Sequence, residues 1–338
     1  MEFSVTDIAL PVKGTAAHSY PGTLTAAGAG LVIASWLEGT QADRFGVLDT
    51  ATGTWRRGMG VRGLVSDARV IEERDVLLLL CSFGLVELDL SSMRPVRTLR
   101  KGLGPYKRSM ETIAPGVVGI SNRYGRAVTL VSTESLTILG TLRTAAPNVV
   151  VDRGGDTLLL SFESGTARAV SDGALAGKRM TIPVSPSAVV VGGRVAYVPS
   201  GVESRRPGED HLQAPIVQRA SGPIDPFESR LYPEGRVAWL DPASLRVLSV
   251  GPDLGVRRVI TRTDDGLLIA TTDADWTAPT SVLILDRDAE RVLYRYPLSH
   301  GIASSAHVAG TTYLDSGNAR DRPYITALTG NAPTPTPH

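Results

Sequence analysis

GVLDTATGTW, residues 46–55, is the clearest copy of a phrase that recurs along almost the whole chain. In each copy a strand ends in Leu-Asp or its equivalent, a polar turn follows, and a second apolar strand begins. A period near ~40 residues with four strands of pattern per unit is typical of sheet units repeated around an axis. The copies align at intervals of 40, 43, 39, 70 and 45 residues, on Asp49, Asp89, Ser132, Ser171, Asp241 and Asp286.

The residue on which the copies align has a structural explanation. An Asp carboxylate or a Ser hydroxyl at the head of a turn accepts a backbone N–H two residues further on and holds the reversal between two antiparallel strands. A repeated residue at a repeated turn therefore needs no ligand to account for it, and we predict a turn-forming role for the four aspartates.

A second signal precedes each copy by about twenty residues, where a tight turn separates two hydrophobic runs. The run after the turn reads as a buried strand, as in VLLLLCSF at residues 76–83. Each unit is then four strands, and this turn joins the first two. The seven turns are AGAG (27–30), EER (72–74), APG (114–116), RGGD (153–156), VGG (191–193), DDG (264–266) and AG (309–310).

Seven units of four strands predict an all-β fold, a seven-bladed β-propeller. The last unit lacks a fourth strand, because only the Pro-rich NAPTPTPH follows residues 324–330. The alternating segment FSVTDIALPV at residues 3–12 can supply that strand and close the ring. We therefore predict a single domain over residues 1–330, followed by a disordered tail at residues 331–338.

LDTATGTW at residues 48–55 resembles the turn phrase of the YVTN-type propeller repeat proteins, and the resemblance extends over about six of the seven units. It implies the propeller fold, which serves enzymes, sensors and scaffolds alike. A weaker resemblance is to the streptogramin-type lyases, whose blades carry a His at the start of one strand and a Glu at the end of the next. Glu38 and Glu163 match that Glu, in ASWLE and LLSFE, while Gly22 stands after Pro21 where the His would fall.

Composition and charge narrow the partners and the compartment. The 35 basic and 34 acidic residues leave a net charge of +1, which argues against nucleic acid and against a polybasic membrane surface. The longest apolar run has 11 residues, at 76–86, too few to span a bilayer. The first residues lack a signal-peptide pattern and the single Cys81 has no disulfide partner, so we expect a cytoplasmic protein.

No cofactor or metal is expected from the motifs. Gly58, Gly60 and Gly63 have the spacing of a dinucleotide-binding loop, but the LVSDARVI that follows reads as a strand where that motif requires a helix. Asp273 and Asp275 are two carboxylates without a third ligand in sight, which is more typical of a solvated loop.

Chemical variety is predicted on one face of the ring. The loops between blades and the loops joining the second and third strands of a blade share that face, and function usually lies there. Ring closure brings His18 and His300 to neighbouring loops with Glu38 nearby, a group suited to acid–base work near neutral pH, unless both histidines are simply solvated. The predicted catalytic residues are His18, His300, Glu38, His211 and Glu163, and the predicted substrate-binding residues are Tyr20, Tyr106, Lys107, Arg123, Tyr124, Arg257, Trp276 and Arg320.

An insertion at residues 201–235 interrupts the fifth unit between its second and third strands. Long loops inside compact domains are usually functional or disordered. Its apolar residues, such as Phe227 and Tyr232, favour a lid over the channel mouth, whereas its prolines and glycines favour a disordered loop.

These features predict a small-molecule enzyme, a lyase, cyclase or hydrolase that uses acid–base residues at the channel mouth. Only four of the 35 basic residues are Lys, which is typical of GC-rich bacterial genomes and favours a reaction of bacterial metabolism, with secondary metabolism as one option. The alternative is a noncatalytic propeller that binds a ligand or another protein, because the chain has no nucleophile motif.

Overall fold

The computed structural model describes residues 2–11, 24–28, 30–38, 42–57, 65–103, 108–122, 126–154, 156–200, 235–272, 280–298, 301–302, 304–315 and 324–331. Within these ranges the chain forms seven four-stranded antiparallel sheets and two single-turn 3-10 segments, Glu72–Arg74 and Phe162–Ser164. The fold is a seven-bladed β-propeller, as the repeat predicts.

The first three blades run from the innermost to the outermost strand in chain order. Blade 1 is β2 (Leu24–Gly28), β3 (Leu31–Glu38), β4 (Ala42–Asp49) and β5 (Thr54–Arg57). Blade 2 is β6 (Val65–Ile71), β7 (Val76–Cys81), β8 (Gly84–Asp89) and β9 (Pro95–Leu99). Blade 3 is β10 (Arg108–Ala114), β11 (Val117–Asn122), β12 (Val128–Ser132) and β13 (Ile138–Leu142).

The next three blades keep the same order. Blade 4 is β14 (Val149–Asp152), β15 (Thr157–Ser161), β16 (Thr166–Ser171) and β17 (Ala174–Thr181). Blade 5 is β18 (Ala188–Val191), β19 (Arg194–Tyr197), β20 (Gly235–Asp241) and β21 (Arg246–Val256). Blade 6 is β22 (Arg258–Arg262), β23 (Leu268–Thr271), β24 (Thr280–Leu285) and β25 (Val292–Leu298).

Blade 7 is built from both ends of the sequence. Its inner strands are β26 (Ser305–Val308), β27 (Thr311–Asp315) and β28 (Tyr324–Asn331), and its outer strand is β1 (Glu2–Ala9). β1 pairs antiparallel with β28 along its whole length, from Glu2 opposite Asn331 to Ala9 opposite Tyr324. The predicted closure of the ring is confirmed, and it removes two sheet edges that would otherwise be exposed.

The core lies between the blades. In the described part of the chain, seven apolar clusters each join residues of two neighbouring blades, including blades 7 and 1. Successive side chains of a strand point to opposite faces, so Leu77 and Leu79 pack toward blade 1 while Leu78 and Leu80 pack toward blade 3. Burial on both faces explains why the second strands read as continuous hydrophobic runs.

The recurring turn has the chemistry that its sequence predicts. Asp49 accepts the backbone N–H groups of Ala51 and Thr52 at 3.1 Å, and Asp241 accepts those of Ala243 and Ser244 at 3.0 Å. The copy at Ser171 is different. It closes with Asp172 and Gly173, both at positive φ, which is the two-residue hairpin that such a pair favours.

In the first three blades, the fourth residue after the aligned Asp or Ser is in the left-handed conformation. In blade 1 this residue is Gly53, but blades 2 and 3 have Met93 and Leu136, with φ of 56° and 54°. Met93 packs toward blade 1 and Leu136 toward blade 2, so each turn places an apolar side chain on the preceding blade. Burial of that side chain offsets the strain of a non-glycine residue at positive φ.

Candidate functional site

The innermost strands, which line the central channel of a propeller, carry a charged cluster where blades 2 and 3 meet. Asp67 and Arg69 lie on β6 of blade 2, and Glu111 lies on β10 of blade 3. In an antiparallel ladder residues two apart share a face, so Asp67 and Arg69 present their side chains on the same side of β6. We refer to these three residues as the channel cluster.

Asp67 connects three consecutive blades. Its Oδ1 accepts the hydroxyl of Thr25 on blade 1 at 3.1 Å and the backbone N–H of Ala68 at 2.8 Å. Its Oδ2 accepts the backbone N–H of Met110 on blade 3 at 2.7 Å. Burial raises the pKa of the Asp67 carboxyl above its ordinary value of 3.8, although these hydrogen bonds and the charge of Arg69 oppose the shift.

Arg69 extends from blade 2 across to blade 3. Its Nη2 donates to the carbonyl oxygen of Met110 at 3.1 Å, and its Nη1 donates to the hydroxyl of Thr112. The same Nη2 lies 3.7 Å from Oε2 of Glu111. The guanidinium therefore hydrogen-bonds neutral acceptors and meets the Glu111 carboxylate only as a loose ion pair.

Glu111 has the chemistry of a proton-transfer group. Burial, together with the neighbouring charge of Asp67, raises the pKa of Glu111 to about 7, against the opposing charge of Arg69. Its side chain still keeps 30% of its surface exposed. A partly accessible carboxyl that titrates near neutral pH is the kind of group that functional sites contain.

The repeat shows that the charge on Asp67 is not needed for the contact it makes. Asp67, Ser187 and Ser304 occupy the same position in their blades, four residues before the last residue of the innermost strand. Ser187 accepts the backbone N–H of Val259 at 3.0 Å, and Ser304 accepts that of Leu24 at 2.8 Å. Each thereby joins its blade to the next one. A neutral hydroxyl makes this contact in blades 5 and 7, where blade 2 has a carboxylate.

A second polar cluster lies between blades 6 and 7. His307 on β26 bonds through Nδ1 with the hydroxyl of Thr312 at 2.8 Å, and its Nε2 lies 3.3 Å from Oδ1 of Asp264. A carboxylate, an imidazole and a hydroxyl in sequence resemble a nucleophilic triad. However, Thr312 is only 1% exposed, so its oxygen has no access to substrate. Burial lowers the pKa of His307 although Asp264 opposes the shift. We interpret this cluster as a structural link.

A cleft among the described residues offers little room for a small molecule. A cleft between the innermost strands of blades 6 and 7 has a volume of about 160 Å³, well below the ~300–1,000 Å³ usual for ligand pockets. Within the described ranges no group of three or more metal-ligating side chains occurs. The cleft is lined by Arg258, Val259, Ile260, Ile302, Ser304 and Ser305.

Two residues of the predicted site have described side chains, and they lie in separate loops. Glu163 lies in the 3-10 turn between β15 and β16 of blade 4, where its backbone N–H donates to Asn148 at 3.4 Å. Arg257 lies between β21 and β22, and its backbone N–H donates to the Thr271 carbonyl oxygen at 2.8 Å. Blade 5 stands between them, so the structure does not bring Glu163 and Arg257 together.

The other predicted residues are not tested by the geometry. Glu38 is the last residue of β3, with a side chain outside the described part of the chain. The insertion at 201–235 falls in the sequence between β19 and β20, and all but its last residue lies outside the described ranges. Also outside them are His18, Tyr20, Tyr106, Lys107, Arg123, Tyr124, His211, Trp276, His300 and Arg320.

The channel cluster is not among the residues predicted from the sequence, although a signal was present. Charged residues stand in the middle of two innermost strands, in VSDARVI and RSMETIA, where the strands of blades 4 and 5 read VVVD and AVVV. What the sequence alone does not show is that Asp67, Arg69 and Glu111 lie within one junction, because that depends on the register between blades.

The fold and its channel define the class of this protein, a seven-bladed β-propeller. No family model matches the chain, and no curated protein matches it by sequence. In the described part of the chain no helix is long and apolar enough to cross a membrane.

Solved structures do resemble it. A chain of the structure titled "Crystal Structure of Mitotic Checkpoint Complex" aligns with a TM-score of 0.61 and 10% identity, over 95% of this chain and 93% of that one. BamB from Moraxella catarrhalis aligns with a TM-score of 0.51 and 12% identity, over 92% of this chain and 83% of that one. At such low identity the likeness establishes the fold alone.

Proposed function

We propose that this chain is a noncatalytic protein-interaction propeller whose partner docks on the outer strand of blade 5. One observation carries the proposal. Among the described residues, every large hydrophobic side chain that is strongly exposed lies on the fourth strand of a blade, and three of the seven lie on β21. These three are Val247, Leu248 and Val250, exposed by 47%, 53% and 51%. Single exposed apolar residues are ordinary, whereas a group of them marks interaction sites.

The backbone of β21 explains why neighbouring side chains are exposed together. The register between β20 and β21 shifts between Trp239, which pairs with Ser249, and Leu240, which pairs with Val247. Leu248 is the extra residue of this bulge, and a bulge interrupts the usual alternation of side chains between the two faces. Val247 and Leu248 are consequently both presented at the rim of the ring.

Most other outer strands carry charges or prolines that normally protect a sheet edge, whereas β13 (ILGTL) has neither. β9 has Arg97, β17 has Lys178 and Arg179, and β25 has Arg295 and Pro297. The segment of β21 from 247 to 250 reads VLSV and has neither. β21 has three strongly exposed apolar side chains against two on β13, which favours a partner with an apolar contact surface at blade 5. The propeller of the mitotic checkpoint complex belongs, by its title, to a multi-protein assembly, which supports the same class of function.

The proposal is tested by covalent cross-linking in the organism of origin, followed by identification of the proteins captured. The wild type is compared with a Leu248→Lys, Val250→Lys variant and with a Leu139→Lys control, since Leu139 is 57% exposed on β13 of blade 3. We expect one set of proteins to be captured by the wild type and the control and lost by the double variant. Identical capture by all three would contradict docking on β21.

A second candidate function, a small-molecule lyase, cyclase or hydrolase, is favoured by Glu111. A carboxyl with a pKa of about 7 on a channel strand is suited to accept or donate a proton. His18, His300, Glu38, His211 and Glu163 remain the predicted catalytic residues of that function. This function is tested by measuring turnover of metabolites that the enzymes encoded by neighbouring genes produce. A turnover rate lowered roughly 10²- to 10⁴-fold in Glu111→Gln or His300→Ala would favour the enzyme. Equal rates in these variants would exclude both residues from catalysis.

A further inference from the structure

The junction of blades 2 and 3 holds more negative charge than its structure requires. Asp67 makes the inter-blade contact that Ser187 and Ser304 make as neutral residues. Glu111 lies close to Arg69, and the contact between Asp67 and Met110 does not involve the Glu111 carboxylate. Among the described side chains, one cation, Arg69, acts on both acids. The channel cluster is neutral when Glu111 holds a proton and carries a net charge of −1 when it does not.

The strands packed against Glu111 offer no second cation among the described side chains. On β6 the charged groups are Asp67 and Arg69, which the cluster already includes. β7 and β11 contribute apolar and neutral side chains, apart from the buried Cys81 thiol at the end of β7. β14 of blade 4 contributes only Asp152, another acid. β10 itself also has Arg108, whose side chain lies outside the described part of the chain.

The contacts that a second negative charge would disturb are inter-blade contacts. Arg69 donates to Met110 and Thr112 of blade 3, and Asp67 accepts the N–H of Met110. If Glu111 ionises, it competes for the guanidinium that now makes those bonds and repels the carboxylate of Asp67. An ion pair between Glu111 and Arg69 would itself join β6 to β10, but burial of the Glu111 charge and its repulsion from Asp67 outweigh that attraction and raise the pKa of Glu111. Ionisation of Glu111 therefore acts, on balance, against the contacts between the two strands.

We propose that Asp67, Arg69 and Glu111 form a proton-controlled latch between blades 2 and 3, closed when Glu111 is neutral and weakened when Glu111 is ionised. This regulation is independent of whether the rim of blade 5 binds a protein. The stability of the junction between blades 2 and 3 then depends on pH near neutrality.

The direction of the effect follows from the protonation of the folded chain. The pKa of Glu111 is about 7, above its ordinary value of 4.5, so the folded protein holds this proton more tightly than the unfolded chain. Its contribution to stability is therefore fully present below pH 4.5 and is lost as the pH rises through about 7. The raised pKa of Asp67 acts in the same direction.

The first test is thermal unfolding of the full chain between pH 5 and pH 8.5. We compare the wild type with Glu111→Gln and with Glu290→Gln, the same chemical change at an exposed position of blade 6. The wild type and Glu290→Gln are expected to lose stability across this range relative to Glu111→Gln, by roughly 100-fold in the folding equilibrium. Parallel pH profiles for all three proteins would overturn the latch.

The second test reads the junction itself and does not depend on global unfolding. Hydrogen exchange of the Met110 amide, corrected for the intrinsic pH dependence, should be faster at pH 8 than at pH 6 in the wild type and unchanged in Glu111→Gln. Asp67→Ser keeps an acceptor for this amide but removes one negative charge, which ends the repulsion of the Glu111 carboxylate and leaves the charge of Arg69 to Glu111 alone, so the midpoint of the change should move to lower pH. The latch as described requires the shift to lower pH, and a midpoint that stays in place or rises would overturn it.

Discussion

Oδ2 of Asp67 on blade 2 lies 2.7 Å from the backbone nitrogen of Met110 on blade 3, so a side chain of one blade accepts the first-strand amide of the next. Ser187 and Ser304 form the corresponding contacts with Val259 and Leu24. The ring is thus joined at its inner strands by polar contacts as well as by the apolar clusters between the blades.

These equivalent contacts predict that Asp67→Ser retains the junction and Asp67→Ala does not. Alanine leaves the Met110 amide without an acceptor, which costs about 1–3 kcal/mol for a buried donor. Chemical denaturation at pH 6 measures the difference between the two variants. Ser187→Ala should be destabilised in a similar way, and equal stabilities of Asp67→Ser and Asp67→Ala would show that the hydrogen bond has no such role.

The closure of the ring predicts a strong effect of removing residues 1–11. The deletion exposes the edge of β28 and removes Val5, Ile8 and Leu10, which pack against the clusters of blade 7 and its neighbours. We expect a loss of several kcal/mol in the free energy of unfolding, measured by urea denaturation. Removal of residues 332–338, predicted from composition to be a disordered tail, serves as the control and should change nothing. An undiminished stability after the first deletion would contradict the closure.

Glu87, a buried acid on β8 of blade 2, predicts a second stability effect. Its dependence on pH is opposite to that of Glu111. Glu87 is 1% exposed and pairs with Arg74 and Arg97, whose Nη atoms lie 3.0 and 2.5 Å from its Oε2. Burial alone would raise the pKa of Glu87, but the hydrogen bonds from Arg97 and Arg74 prevail and lower it. Its stabilisation is therefore present above the ordinary pKa of 4.5 and lost as the pH falls.

Glu87→Gln should cost about 1–3 kcal/mol at pH 7, because it removes the charge-assisted hydrogen bonds from Arg74 and Arg97, which are themselves only partly buried. Glu73→Gln, at an exposed position of the neighbouring turn, is the matched control. Melting temperatures at pH 7 and at pH 3.5 compare the two. The penalty should shrink at the lower pH, and a penalty independent of pH would show that the ion pairs contribute little.

The buried left-handed residues of the recurring turn predict that glycine is not an improvement there. Met93→Gly relieves the strain of a φ of 56° but removes a side chain that is 4% exposed, and the second effect is larger. We expect a net loss of about 1–3 kcal/mol in the free energy of unfolding. Gly53→Ala, with φ of 66° and nothing within 4 Å of the added carbon, should cost only about 1 kcal/mol. A stabilised Met93→Gly would refute this account of the turn.

The sequence predicted the fold well because the blade is local. The seven tight turns, the Asp turns and the missing last strand are each set by a few neighbouring residues, and all of them fall where the pattern indicated. The strand predicted after Gly63 is also present, as β6, in place of the helix that a dinucleotide loop requires.

The site was less predictable because it depends on the register between blades. Nothing near Asp67 in the sequence shows that Met110 lies against it, 43 residues later, or that Glu111 shares its charge environment. The exposure of Leu248 likewise depends on a bulge that the alternating pattern of β21 does not reveal.

The central claim, that β21 is a docking surface for a protein, is tested most directly by a photo-reactive amino acid placed at position 248. The same probe is placed at position 139 on β13 and at position 257, which is exposed at the loop end of blade 6. After irradiation of the living cells, we expect a discrete cross-linked adduct to another protein at position 248 and none at the other two. Adducts at 257 or 139 with none at 248 would contradict the claim.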